Sequence, residues 1–194
     1  MSPVVTRIVC SETMNGSSSR LSRFQEAQAS LHSGFASALA EIQSGRKRGH
    51  WIWYVFPQIS GLGSSELSRK FAIENEDEAA AFLRDRALRS RLSTIANALV
   101  RQIKGDAALP LRTVMNSEID ARKVVSSLTL FRHVARTLCE SESSDVYGPI
   151  ATVAEEILAI AASQGYPPCE HTLRRLRHGQ QSSEHNRTGS GSIN

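Results

Sequence analysis

Residues 88–103 read Leu88-Arg-Ser-Arg-Leu92-Ser-Thr-Ile95-Ala-Asn-Ala-Leu99-Val-Arg-Gln-Ile103. Apolar side chains return every third or fourth position, which at 3.6 residues per turn places them on one stripe. The spacing predicts a long amphipathic helix ending near Gly105, a residue suited to a helix C-terminus.

The same period extends outward in both directions. Upstream, Asn75 with Glu78 three residues on is a capping-box pattern, and it opens a helix carrying Ala79, Phe82 and Leu83. Leu67 and Phe71 predict a short helix before it. Further back, Leu21, Phe24, Gln28, Leu31, Phe35, Ala38, Leu39 and Ile42 mark a stripe closed by Gly45, with Gly34 as a point of division into two helices. Downstream, Ser117 caps a helix bearing Val124, Val125, Leu128, Phe131 and Leu138. Pro149 then opens one with Val153, Ile157 and Ile160, and Leu173 and Leu176 mark a last short one.

Almost no alternating apolar pattern competes with these helices, so the expected fold class is all-α: a single multihelical globular domain with disordered termini. The boundaries read as a Ser-rich leader over 1–20, the helical domain over 21–178 and a Gly/Ser-rich tail over 179–194. One domain suits 194 residues. The three cysteines, Cys10, Cys139 and Cys169, form no metal-ligand spacing, so neither a metal nor a cofactor is implied, and a reducing cytoplasm is the expected location. No membrane association is expected, since no apolar run approaches the ~18 residues of a span.

A net charge of +4 invites a nucleic-acid reading. Its distribution argues against one: residues 1–20 carry +1 and residues 165–194 carry +2, which leaves +1 on the body between them. Nucleic acid is therefore not the expected partner.

One segment departs from the helical pattern. Trp51-Ile-Trp-Tyr-Val-Phe56 is aromatic and β-branched, yet the chain offers no partner strand, so a buried extended or helical-turn segment ending at Pro57 is expected. Its neighbourhood concentrates the unusual chemistry. Lys47 lies between Arg46 and Arg48, His50 precedes Trp51 and Trp53, and Gln58 is followed by Gly61-Leu-Gly63 and Ser64. Cations, flat rings and glycine-loop amides ahead of a helix start suit an anionic ligand with a ring. Against this stand ordinary roles: tryptophans as core, the glycines as a turn, and the basic run as a solvated helix end.

A second polar cluster lies at Asp120, Lys123, Ser126, Ser127 and Thr129. On a helix Lys123 and Ser127 share a face, with Asp120 close by. Their hydroxyls either face a polar ligand beside Lys123 or bond back to the helix backbone. His50 and Asp120 are the candidate catalytic groups, although no familiar catalytic motif contains them.

These same stretches carry a family resemblance. Lys47-x-x-His50-Trp-x-Trp53, Phe56-Pro-Gln58, Gly61-Leu-Gly63 and Lys123-x-x-Ser126-Ser127-x-Thr129-Leu-Phe131 resemble the bacterial family known as domain of unknown function 1810. The resemblance spans about residues 21–177 and implies an all-helical domain without an established activity. Departures from the family pattern fall at Leu128, where Met is usual, and at Val114-Met-Asn116, where Ile-Phe-Gly is usual. The calpastatin label often given to such proteins implies a disordered repeat, which the helical periodicity here contradicts.

The leading expectation is a site for a small anionic, nucleotide-like ligand between the 46–65 segment and the 120–131 helix. It would use Lys47, His50, Trp51, Trp53, Gln58, Gly61, Gly63, Ser64, Lys123, Ser126, Ser127 and Thr129. The alternatives are a non-catalytic protein-interaction or structural module and, last, RNA binding through the basic run.

Overall fold

Four helices start at side chains that accept an otherwise unpaired backbone N–H. Ser65 accepts from Ser68, Asn75 from Glu78, Asp85 from Leu88 and Ser117 from Asp120. The computed structural model describes residues 15–178. Its helices are α1 (Asn15–Ala29), α2 (Phe35–Gln43), α3 (Ile52–Val55), α4 (Glu66–Lys70), α5 (Glu76–Arg84), α6 (Arg86–Ile103), α7 (Leu111–Met115), α8 (Glu118–Ser141) and α9 (Gly148–Ser163). A 3-10 turn, Asp145–Tyr147, precedes α9, and a last helix, α10, covers 170–178. No strand occurs among the described residues; Ile59 and Ile73 form an isolated parallel bridge.

The chain is therefore all-α, and the period-based elements are present. Asp85 ends α5 and caps α6, so two helices meet at a single residue. The capping box at Asn75 is half formed. The Glu78 carboxylate accepts from the Glu74 N–H at 2.8 Å and pairs with Arg23 at 2.6 Å instead of returning to Asn75. Asn116 takes a left-handed φ of 55° after α7, a conformation open to Gly and Asn.

Two sequence expectations shift. α1 begins at Asn15, inside the segment read as a leader; residues 1–14 and the tail from 179 on lie outside the described residues. Leu31 does not join the stripe but stands 89% exposed in the turn between α1 and α2. Gly34 makes that turn possible: a Cβ there would lie 2.1 Å from the Ser30 carbonyl oxygen.

The core has two connected parts. α6, α8 and α9 pack their stripes together through Leu92, Ile95 and Leu99, Val124, Leu128 and Phe131, and Val153, Ile157 and Ala161. Asp145–Ser163 is long and apolar enough by composition to cross a membrane, the one exception to the expectation above among the described residues. Its buried face, however, is the seam with α6 and α8, the position of a core helix. The second part is aromatic. Phe24 meets Phe82 edge-on at 5.3 Å between ring centroids, Phe82 meets Phe131 at 5.0 Å, and Tyr54 meets Phe71 at 5.2 Å. This chain of rings ties α1, α3 and α5 to α8.

The Trp51–Phe56 stretch forms one helical turn and, half-buried Trp53 apart, is buried in that aromatic part, with Trp51 and Phe56 fully enclosed. Phe82 touches rings from both parts. Phe82→Ala should therefore cost about 3–5 kcal/mol of unfolding free energy, measured by equilibrium urea unfolding; a loss under ~1 kcal/mol would contradict the packing described.

Candidate functional site

The loop ahead of α3 is folded around one carboxylate. Glu41 of α2 accepts on Oε2 from the Arg48 N–H at 2.6 Å, the Gly49 N–H at 2.9 Å and the Trp51 indole N–H at 2.7 Å. Burial alone would raise the Glu41 carboxyl, but these three donors and the charge of Lys47 outweigh it and hold it below its ordinary value. Trp51 is thereby a core residue with its one polar atom satisfied.

Asp120, in the first turn of α8, joins that loop to α8. Its Oδ2 lies 2.7 Å from Lys47 Nζ and its Oδ1 2.9 Å from Lys123 Nζ. Lys47 is buried, and also donates to the Gly49 carbonyl at 2.5 Å. The Lys123 ammonium sits 3.6 Å from the centroid of the Trp53 ring. The structure thus brings together Lys47, Lys123, Asp120 and Trp53 from two distant stretches. Burial pushes the Asp120 carboxyl upward, but the hydrogen bonds and charges of Lys123 and Lys47 prevail and keep it below the usual aspartate range. With both oxygens held by ammonium groups, Asp120 is a counter-ion for two cations.

The hydroxyl cluster points elsewhere. Ser126, Ser127 and Thr129 are all buried. Ser126 Oγ meets Thr172 Oγ1 at 3.1 Å; Thr129 Oγ1 donates to the Val125 carbonyl at 2.7 Å and accepts the Cys169 N–H at 3.2 Å. Ser126 and Thr129 therefore fasten α10 and its approach to α8, because these hydroxyls lie on the covered side of α8. Ser127 Oγ has no hydrogen-bond partner among the described residues. His50 is exposed.

Trp53 also borders open space, a cleft of about 450 Å³. Trp53 and Gln58 line it with the 60–63 loop, Arg23, Arg69 and Lys70. Residues 58–74 form a loop whose ends are pinned together: the Ser60 N–H donates to the Ile73 carbonyl and the Ile73 N–H to the Gln58 carbonyl, both at 2.8 Å. α10 clamps the same ends. His171 Nε2 lies 2.9 Å from the Ser60 carbonyl oxygen, and Arg175 reaches Ser60 Oγ and the Glu74 carbonyl, each at 3.2 Å.

Gly61 has a φ of +93°, and a Cβ there would stand 3.0 Å from His171 Cε1, so both backbone and neighbour require glycine. At Gly63 a Cβ would come within 2.9 Å of Ser68 Oγ. Ser64 offers its carbonyl to Arg69 at 2.5 Å. The backbone N–H groups of residues 61–64 donate to no acceptor among the described residues. Neither His50 nor Asp120 lines this cleft. No group of three or more metal-ligating side chains occurs among the described residues. The arrangement suits binding: a ring surface, free amide donors and cations in one concavity.

Sequence reasoning passed over Glu41, Arg23, Arg69, Lys70 and the α10 pair His171 and Arg175. The Arg69-Lys70 step six residues after Gly63 was a readable signal; the α10 pair, more than a hundred residues away, was not.

Asp120→Asn should lower unfolding free energy at neutral pH by about 1–3 kcal/mol, because it leaves two lysines without their counter-ion. The folded carboxyl titrates below the ordinary aspartate value of 3.8. Its contribution is therefore complete above that value and is lost as pH falls through the lower folded pKa. The gap between wild type and variant in urea unfolding should hold steady from about pH 7 to 5 and close toward pH 3. A gap that does not change with pH would refute this account.

The sequence profile described as "Protein of unknown function (DUF1810)" matches residues 18–147. Among solved structures, the chain is similar to the conserved hypothetical protein Rv1873 from Mycobacterium tuberculosis, at 30% identity over 81% of this chain and 96% of that one, with a TM-score of 0.60. No curated protein matches. The profile match takes in Glu41, Lys47, Trp53, the 58–74 loop and the Asp120–Lys123 pair. On the extent of that match and the likeness to the mycobacterial structure, the chain belongs to the DUF1810 family of unknown function.

Proposed function

We propose that the cleft between Trp53 and the 58–74 loop binds a small anionic, nucleotide-like ligand. The observation that carries this reading is that one concavity of about 450 Å³ is lined by an aromatic ring, by loop residues whose N–H groups have no acceptor among the described residues and by the cations Arg69 and Lys70. A ring of the ligand would lie against Trp53, and the Gln58 amide supplies a donor and an acceptor for its polar edge. The anionic end would meet the amides of Gly61, Leu62, Gly63 and Ser64, which are otherwise left to water.

Compared with the sequence expectation, this site keeps Trp53, Gln58, Gly61 and Gly63, with Ser64 next to them in the loop and Lys123 against the Trp53 ring. Lys47 and Trp51 support it from the core, Ser126 and Thr129 hold α10 against α8, and Ser127 is buried with no hydrogen-bond partner among the described residues. The proposal is one of binding, because the groups lining the cleft do not include a nucleophile beside a base.

A thermal-shift panel of nucleotides, ADP-ribose and sugar phosphates tests it. At least one anion should stabilise the protein, by about 2.7 kcal/mol at a hundredfold excess over its dissociation constant. No stabilisation across the panel would end the reading. Trp53→Ala should weaken a nucleotide by about 1–3 kcal/mol, while Trp53→Phe, which keeps a ring under Lys123, should retain most of the affinity; equal affinity in all three proteins would remove Trp53 from the site.

A further inference from the structure

The charged groups around the cleft divide into those already neutralised and those that are not. Arg23 lies 2.6 Å from the buried Glu78 carboxylate, and Glu74 lies 3.5 Å from Arg20, so each of these positive and negative charges has its counterpart. Arg69, Lys70 and Arg175 have no carboxylate within ion-pairing distance among the described residues. Their contacts are neutral. Arg69 donates to the Ser64 carbonyl, Arg175 to Ser60 Oγ and the Glu74 carbonyl, and Lys70 stands 5.4 Å from the Phe71 ring centroid. Arg69 and Arg175 reach the two ends of the 60–64 stretch, in which the amides of residues 61–64 are free.

Resting on the binding proposal above, we infer that the ligand's anionic end is a terminal phosphate monoester, a group carrying close to two negative charges near neutral pH. The unmatched positive charge at the loop exceeds one unit. A phosphodiester or a carboxylate brings a single charge and would leave cations uncompensated beside the amides; a monoester dianion offers charge to the cations and three terminal oxygens to the N–H groups. The ligand class is accordingly the phosphomonoesters with a flat ring, such as nucleoside monophosphates, rather than cyclic or bridging diesters.

The experiment compares AMP, cyclic AMP and adenosine by isothermal titration on the full chain at about pH 7.5, where the monoester is the dianion. All three share the ring and ribose, so contacts with Trp53 and Gln58 cannot separate the first two. AMP should bind roughly tenfold or more tightly than cyclic AMP, the difference expected of one added charge with charge-assisted hydrogen bonds. Arg69→Ala and Lys70→Ala, both at exposed positions, should each erase several-fold of that preference and leave adenosine unchanged. Equal affinity for AMP and cyclic AMP, or a preference that survives both substitutions, overturns the monoester assignment while the cleft reading stands. No binding of any of the three, with the fold intact by circular dichroism, overturns the monoester assignment, and the cleft reading falls with it when the wider panel also gives no stabilisation.

Discussion

Asp120 is where the two halves of the site are joined. Its carboxylate lies between Lys47, from the loop before α3, and Lys123, one turn further along α8. A buried ammonium without a partner costs several kcal/mol, so Lys47 could not occupy its buried place without this carboxylate, which half-buried Lys123 shares. Pairing makes the arrangement tolerable more than it makes it strongly stabilising, since desolvation consumes much of the attraction. What the bridge fixes is register: it sets the 46–51 loop against the first turn of α8 and holds the Lys123 ammonium over Trp53.

Glu41 does the same work from the opposite side. Three donors from residues 48, 49 and 51 meet one carboxylate oxygen, which gives the loop a hydrogen-bonded centre in place of secondary structure. With Trp51 locked in the core, the single turn of α3 directs its next tryptophan toward the cleft. The spacing Trp-x-Trp thus divides labour: the first ring anchors and the second is offered to the surface. Loop 58–74 is held by the same means, its ends bridged to each other and fastened to α10, so the free amides lie on a segment whose termini are fixed while its tip stays accessible.

The helices were legible in the sequence because a 3.6-residue period survives any tertiary arrangement; the stripes of α6, α8 and α9 needed no knowledge of their partners. Leu31 was misplaced because periodicity cannot see that Gly34 closes against the Ser30 carbonyl and breaks the stripe one turn early. The site was legible as a list of residue types but not as a surface. Lys47 and Lys123 do lie near each other, but residue spacing could not reveal that the one Asp120 carboxylate holds both. Ser126 and Thr129 carried the right chemistry for a ligand and the right chemistry for a helix contact, and only the position of α10 decides between them.

α10 also bears on how far the domain extends. The family profile ends at residue 147, before α9 and α10. α8, however, buries Val124, Leu128, Phe131 and Leu138, and α6 buries Leu92, Ile95 and Leu99, on faces that α9 helps to cover. At about 25 cal/mol per Å² of apolar surface, leaving those faces to water would cost more than a domain of this size has to spare. α10 adds Leu176 and Thr172 to the buried set and clamps both ends of the cleft loop. α9 and α10 therefore belong to the physical unit that builds the cleft, and these residues beyond the profile act on the candidate site through the backbone they hold.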